Sequence, residues 1–158
     1  MKKIIIIIVF LLTNSMLWGQ QESIITFYNN HMNLINPAYV GVEKTSSFQS
    51  TIREQWSGVK DAPSTQAVSF MTPIGDKKLA IGLSFVNDKV FIEKQAFVAL
   101  DFSYELNLNE SLNLHMGLKV GGNNYQVNTQ GLQTYNVEQD PSLEPISRFN
   151  PNVGIGFY

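Results

Sequence analysis

The sequence contains two histidines, His31 and His115, a residue type that often binds metals or transfers protons near neutral pH. They stand far apart in the chain, and no cysteine accompanies them. A zinc site needs about three or four ligands that converge on one ion. The spacing therefore predicts no metal site, and we interpret His115 as a polar residue on one face of a strand.

Asp101 and Glu105 are carboxylates on one face of an alternating run, a spacing that could serve general acid–base chemistry. The whole of that face is polar, which instead favours the lining of a polar lumen. Gly117, Gly121 and Gly122 lack the spacing of a phosphate-binding loop, and no serine stands in a nucleophile elbow. The sequence thus predicts no catalytic residue, no cofactor and no enzyme.

Composition narrows the class of protein further. The 11 basic and 13 acidic residues nearly balance, so no nucleic-acid partner is implied. Charged residues make up 15% of the chain and hydrophobic ones 44%, whereas globular domains carry about 25% charged residues. This deficit favours a surface that lies partly in lipid. The absence of cysteine excludes a disulfide scaffold and an anchor on a lipidated cysteine.

The N-terminus has the pattern of a secretory signal peptide. Two lysines precede an apolar run from Ile4 to Leu12, and a polar stretch follows. The run is about half as long as the roughly 20 residues that a spanning helix needs. We predict that residues 1–19 are a cleaved signal peptide, that the mature chain begins close to Gln20, and that residues 20–158 are the exported domain.

Most of the mature chain alternates between apolar and polar residues, the pattern of strands with one face in lipid and one facing a polar lumen. The predicted strands lie near Phe48–Trp56, Thr65–Thr72, Leu79–Phe85, Ala96–Leu106, Leu112–Val120 and Val153–Phe157. The best of them have about the ten residues that a tilted strand needs to cross a bilayer. The pattern predicts an all-β fold, an antiparallel up-and-down transmembrane β-barrel with about six strands.

The predicted connections alternate between short and long, as in barrels with short periplasmic turns and long outer loops. The short ones are Gly75–Lys77 and Asn109–Ser111, and the long ones are Gly58–Ser64, Asn87–Lys94 and Gly122–Pro151. The first strand then runs outward. Because single-chain barrels have at least about eight strands, we expect a partial barrel, the N-terminal part of a truncated chain.

Residues 20–39 should form no lipid-facing strand, because four asparagines break the alternation, and we expect them in the lumen or the periplasm. Within them, Asn36 to Tyr39 predict a turn that enters the first strand. Trp56 is interpreted as an aromatic of the membrane interface, or one tucked against its own loop.

The register of the best hairpin also follows from the sequence. A three-residue turn centred on Glu110 would place Leu108 opposite Leu112. If the lumen is wet, each polar cross-strand pair contributes only about 0.2–1 kcal/mol. The lumen-facing pairs of this register are Asp101 with Lys119 and Glu105 with His115.

Short motifs follow one another over nearly the whole mature chain. Their residues are Asn36, Pro37, Ala38, Tyr39, Gly41, Arg53, Gln55, Trp56, Gly58, Ala62, Pro63, Thr65, Asn87 and Asp88. Similar motifs continue through Gly82–Ser84, Gly117–Lys119 and Pro151–Gly154. In order and spacing they resemble the PorP/SprF family of outer-membrane proteins associated with the type IX secretion system of Bacteroidota.

The resemblance implies an outer-membrane barrel that supports export or surface attachment of partner proteins in secretion and gliding. The implied partners are outer-membrane lipid, other proteins of the type IX secretion or gliding machinery, and secreted surface proteins with C-terminal sorting domains. The family supplies no catalytic residues. Two alternatives stay open on the residues alone, namely a general outer-membrane channel or transporter and a soluble exported β-sandwich.

Overall fold

A computed structural model of the chain describes residues 28–75, 78–110, 112–129 and 144–158. The predicted signal peptide, residues 1–19, lies outside the described residues, as do residues 130–143 of the predicted outer loop. Among the described residues, no helix is long and apolar enough to cross a membrane.

Six antiparallel strands form one sheet in which chain order and spatial order agree. They are β1 (Ser47–Glu54), β2 (Ser64–Ile74), β3 (Leu79–Val90), β4 (Glu93–Asn109), β5 (Leu112–Val127) and β6 (Ile146–Phe157). In the described part of the chain, β1 and β6 form the two edges, and the sheet is not closed. The predicted all-β, up-and-down architecture is confirmed, and the open sheet is consistent with a partial barrel.

The alternation of side chains divides the sheet into an outer and an inner face. On β4, the outward Leu100, Phe102 and Tyr104 are 49%, 49% and 42% exposed. Between them, Asp101 and Ser103 point to the inner face and are 0% and 3% exposed. Apolar side chains on an exposed face and polar ones on a buried face invert the usual order of a soluble protein.

Two predicted connections differ from the structure. The predicted loop Asn87–Lys94 is wrong, because β3 and β4 continue through it and only Phe91 and Ile92 connect them. Its polar residues look like a loop in sequence, but they pair with the neighbouring strand.

In the β4–β5 turn, Leu112 pairs with Asn109 and the register shifts between Asn107 and Asn109. The predicted pairing of Leu108 with Leu112 is therefore wrong.

Residues 28–44, here called the inner segment, lie against the inner face. They contain a 3₁₀ turn (Tyr28–His31), a short helix α1 (Met32–Ile35) and a 3₁₀ helix (Pro37–Gly41). The 3₁₀ helix has only 5 residues, yet it contacts strands β2 to β6. Neighbouring strands lie about 4.8 Å apart, so such a short helix reaches them all only because the sheet curves around it.

Asn36 begins this 3₁₀ helix and does not lead into a strand, so the predicted turn into β1 is wrong. Its Oδ1 accepts a hydrogen bond from the N–H of Ala38 at 3.0 Å. Its Nδ2 donates to the carbonyl of Phe157 on β6 at 2.9 Å. Pro37 suits the first helical position because its ring fixes φ and that position needs no donor. β1 begins only at Ser47.

Glycines on β5 and β6 let the inner segment approach the sheet. A methyl group at Gly117 would collide with the backbone nitrogen of Ala38, and one at Gly156 would collide with Oδ1 of Asn36. At Gly154, by contrast, a Cβ would meet only Lys119 Cβ, at an ordinary contact distance of 3.5 Å. Gly117 and Gly156 thus form a shallow groove in which the backbone of the inner segment lies.

Leu118 is 43% exposed on the outer face. A substitution there tests the assignment of this face to lipid. A lysine at the bilayer midplane of a barrel costs about 2–4 kcal/mol. We expect Leu118→Lys to lower the amount of folded protein in the membrane fraction several-fold. Val59→Lys, at a 59% exposed position between β1 and β2, is the matched control and should leave it unchanged. Equal membrane levels of both variants would contradict the assignment.

Candidate functional site

An ion pair lies at the centre of the inner face. Asp101 on β4 and Lys119 on β5 are cross-strand neighbours, the register that the sequence predicts. Lys119 Nζ lies 3.2 Å from Asp101 Oδ1, and the two side chains are 6% and 0% exposed. The small energy predicted for this pair assumed that water surrounds it. That assumption is not met, because the inner segment covers the pair.

The inner segment supplies the remaining partners of the Lys119 ammonium group. Nζ donates to the carbonyl oxygens of Asn33 at 2.6 Å and Leu34 at 3.1 Å. Both carbonyls belong to α1, and the last carbonyls of a helix lack partners within it. A lysine has three N–H donors. Lys119 thus has two hydrogen-bond acceptors in the inner segment and one ionic partner, Asp101, on the neighbouring strand.

Asn33 extends this network to β3. It is 0% exposed, and its Nδ2 donates to Ser84 Oγ at 2.6 Å and makes a longer contact of 3.4 Å with Asp101 Oδ2. Its Oδ1 has no hydrogen-bond partner among the described residues. The asparagine that breaks the alternation in sequence is therefore a buried link between α1, β3 and β4.

His31 joins the inner segment to the first two strands. Its Nε2 lies 2.9 Å from Thr51 Oγ1 on β1, and its Nδ1 lies 2.9 Å from Ser69 Oγ on β2. A hydroxyl can donate or accept, so both nitrogens of a neutral imidazole find partners. Burial lowers the pKa of His31 below its ordinary value, which favours this neutral form. His31 contacts hydroxyl groups on β1 and β2, whereas His115 lies on β5.

Glu105 and His115 are cross-strand neighbours, as the register predicts, but the ionic partner of Glu105 is Lys44. Lys44 Nζ lies 2.8 Å from Glu105 Oε1, and the glutamate side chain is 4% exposed. His115 Nδ1 has no hydrogen-bond partner among the described residues, and a Cβ added at Gly41 would lie 3.3 Å from it. The sequence did not indicate Lys44 as a partner, because nothing in local spacing relates it to β4.

Tyr39 packs against the residue that follows β6. Its ring packs edge-to-face on that of Tyr158, with centroids 5.5 Å apart. Its hydroxyl donates to Glu43 Oε1 at 3.1 Å. Burial, followed by the hydrogen bond to Glu43 and its charge, raises the pKa of Tyr39 above its ordinary value.

A second cluster of these residues lies near the connection between β1 and β2. The N–H of Gln55 donates to the carbonyl of Pro63 at 3.0 Å and closes this connection. Trp56 has a positive φ of 54° and is 68% exposed. Thr65 Oγ1 donates to Asp88 Oδ1 at 2.5 Å, and Arg53 lies opposite Thr65 on β1.

The residues named from sequence thus fall into two groups. The first lies on the inner face or in the inner segment: Asn36, Pro37, Ala38, Tyr39, Gly41, Asp101, Glu105, His115 and Lys119. The second lies near the β1–β2 and β3–β4 connections: Arg53, Gln55, Trp56, Gly58, Ala62, Pro63, Thr65, Asn87 and Asp88. Sequence reasoning missed His31, Asn33, Lys44, Ser69 and Ser84, whose roles depend on long-range contacts.

The geometry of the inner face favours a structural role. Each buried carboxylate, Asp101 and Glu105, lies beside a lysine ammonium group and is held by a charge-assisted contact. Among the described residues, no group of three or more His, Asp or Glu side chains is placed to hold a metal ion. The arrangement joins the inner segment to the sheet.

Comparison with known proteins identifies one family. The family described as type IX secretion system membrane protein PorP/SprF matches residues 18–158. No curated protein matches the chain. No solved structure matches it either.

A double-mutant cycle can measure the coupling between Lys119 and Asp101. Lys119→Met leaves Asp101 as an unpaired buried charge and should cost about 3–5 kcal/mol in the free energy of unfolding. Lys119→Met combined with Asp101→Asn should recover part of this loss, because neither charge then remains. Urea unfolding in detergent micelles measures both, and Lys78→Met at an exposed lysine is the control. Strictly additive effects would contradict the coupling.

His31 makes the docking of the inner segment sensitive to acid. Because its pKa is lowered in the folded protein, the unfolded chain binds a proton more readily, so folding stability falls as pH drops below about 6.5. Unfolding midpoints between pH 7.5 and 5 should therefore fall more in the wild type than in His31→Gln. A wild-type midpoint with the same pH profile as the variant would remove His31 as the cause.

Proposed function

The chain belongs to the type IX secretion system membrane protein PorP/SprF family, and on this premise we propose that it is an outer-membrane scaffold barrel. In this role it supports the export or surface attachment of partner proteins. The observation that carries the proposal is an exposed apolar outer face combined with an inner face that the chain's own segment covers.

The outer face has the dimensions of a membrane-spanning surface. On β4 the outward residues from Val98 to Leu108 are all apolar or aromatic and 39% to 53% exposed. At about 3.4 Å per residue and a tilt of about 40°, this stretch is roughly 25 Å tall, the height of the apolar band of outer-membrane barrels. We propose that residues 1–19 direct the chain to this membrane and are removed.

The covered inner face supports the scaffold interpretation rather than that of an open channel. Six polar side chains of this face are bonded to the inner segment: Thr51, Ser69, Ser84, Ser103, Glu105 and Lys119. A wet pore would keep such groups in contact with water. The inner segment therefore acts as a built-in plug in this proposal.

Partner contact is assigned to the end of the sheet with the longer connections. β1 and β5 end there, and the chain that leads to the next strand is long in both cases, whereas the opposite end has short turns. Long connections face outward in barrels, and loops on a rigid scaffold commonly carry binding. The partners we propose are other secretion and gliding proteins and secreted proteins with C-terminal sorting domains.

Deletion of the gene in the host tests this function. We expect the surface display of at least one protein with a C-terminal sorting domain to be lost, with its synthesis unchanged, and to return when the gene is restored. Quantitative proteomics of the cell surface and whole cells measures this. An unchanged surface proteome would contradict the proposal, and recovery of the protein in the soluble fraction would favour the exported sandwich.

Conductance separates the scaffold from the channel alternative. The full-length protein in planar bilayers should show no steady open pore. Gly117→Ala should raise conductance, because its methyl group would collide with the backbone of the inner segment, whereas Gly154→Ala should not. Open pores in the unmodified protein would support the channel.

A further inference from the structure

Two lysines face each other on the outer surface, next to the longer connections. Lys89 on β3 and Lys94 on β4 are direct cross-strand partners. Both occupy outward positions, in register with the apolar residues Phe85 and Val98. Like charges opposite one another in a sheet repel, so this pair has a cost that an anionic ligand would relieve.

The neighbouring loop adds a third lysine and one carboxylate. Asp61 Oδ1 accepts a hydrogen bond from Lys89 Nζ at 2.9 Å. This hydrogen bond and the charge of Lys89, with smaller effects of Lys60 and Lys94, lower the pKa of Asp61. Lys60 and Lys94 are exposed and make no ion pair in the described part of the chain. One ammonium group therefore pairs with the Asp61 carboxylate, and two more lie close enough to act on its charge.

Neighbouring carboxylates do not cancel this excess on the outer surface. Asp88 and Glu93 adjoin Lys89 and Lys94 in the chain, but the alternation of a strand places them on the opposite face. Glu54 lies in the same cross-strand row, but Ser64 on β2 stands between it and Lys89. We call Lys60, Lys89 and Lys94 the lysine cluster. It keeps a positive surplus over Asp61 on the outer surface.

The lysine cluster stands at the depth of lipid headgroups. The apolar rows of the outer face end at Phe85 and Val98, and Lys89 and Lys94 follow four positions further along their strands. With about 3.4 Å per residue and a tilt of about 40°, they lie roughly 10 Å beyond an apolar band of about 25 Å, at the outer edge of a bilayer about 45 Å thick with its headgroups.

We propose that the lysine cluster binds the phosphate groups of a phosphorylated glycolipid in the outer leaflet, with its acyl chains along Phe85 and Val98. The longer connections at this end favour the outer leaflet, where phosphate-bearing glycolipid is the anionic partner of a Gram-negative membrane. Ammonium groups bind phosphate through charge-assisted hydrogen bonds. The inference rests on the proposed residence in the outer membrane.

Binding can be measured by native mass spectrometry on the full-length protein purified in detergent. The probe is diphosphoryl lipid A, with dephosphorylated lipid A and phosphatidylglycerol as comparators. Lys60→Gln combined with Lys94→Gln should weaken binding of diphosphoryl lipid A about tenfold or more, since two charged donors are lost. Lys78→Gln removes the same charge at the opposite end of β3 and should leave affinity within about twofold.

The possible results separate the proposal from its alternatives. Tight binding that requires both the phosphates and the lysine cluster supports it. Equal binding of phosphatidylglycerol, binding unaffected by the double change, or an equal loss in Lys78→Gln would overturn it. Membrane fractionation of the same variants keeps the tests apart, because a protein that reaches the membrane and fails to bind lipid A contradicts only this inference.

Discussion

The Lys119 ammonium group is the constraint on which the interior depends. A buried charge is tolerated only when opposite charge and hydrogen-bond acceptors surround it. Asp101 supplies the charge from the neighbouring strand, and the carbonyls of Asn33 and Leu34 supply the rest from the inner segment. The register of β4 and β5 and the docking of α1 are therefore coupled, since a change in either would leave a buried charge without its partners.

The same inner segment also connects the other strands. His31 reaches β1 and β2, Asn33 reaches β3, and Asn36 reaches the end of β6. One short stretch of chain thus bonds to side chains or carbonyls of all six strands. Glycines opposite it allow the backbone to approach closely, at Gly117 and Gly156.

In the proposed function, the two faces of the sheet have different tasks. The outer face presents apolar side chains, which suit lipid, and ends in a basic rim at Lys89 and Lys94. The inner face is covered by the chain itself, and polar groups there bind the inner segment. In the proposed function, contact with other proteins is assigned to the connections beyond this rim, and the chain belongs to a membrane protein family of a secretion system.

Period-two alternation determined the strands, their faces and the pairing of Asp101 with Lys119, because a register shift by one residue would move every side chain to the wrong face. Only the tertiary structure decided what covers that pair. The partners of Glu105 and Asp101, namely Lys44 and Asn33, come from a segment distant in sequence, and no local pattern encodes such docking. Asn87 to Lys94 were mistaken for a loop because strand pairing beyond the apolar band satisfies backbone hydrogen bonds without any need for hydrophobic residues.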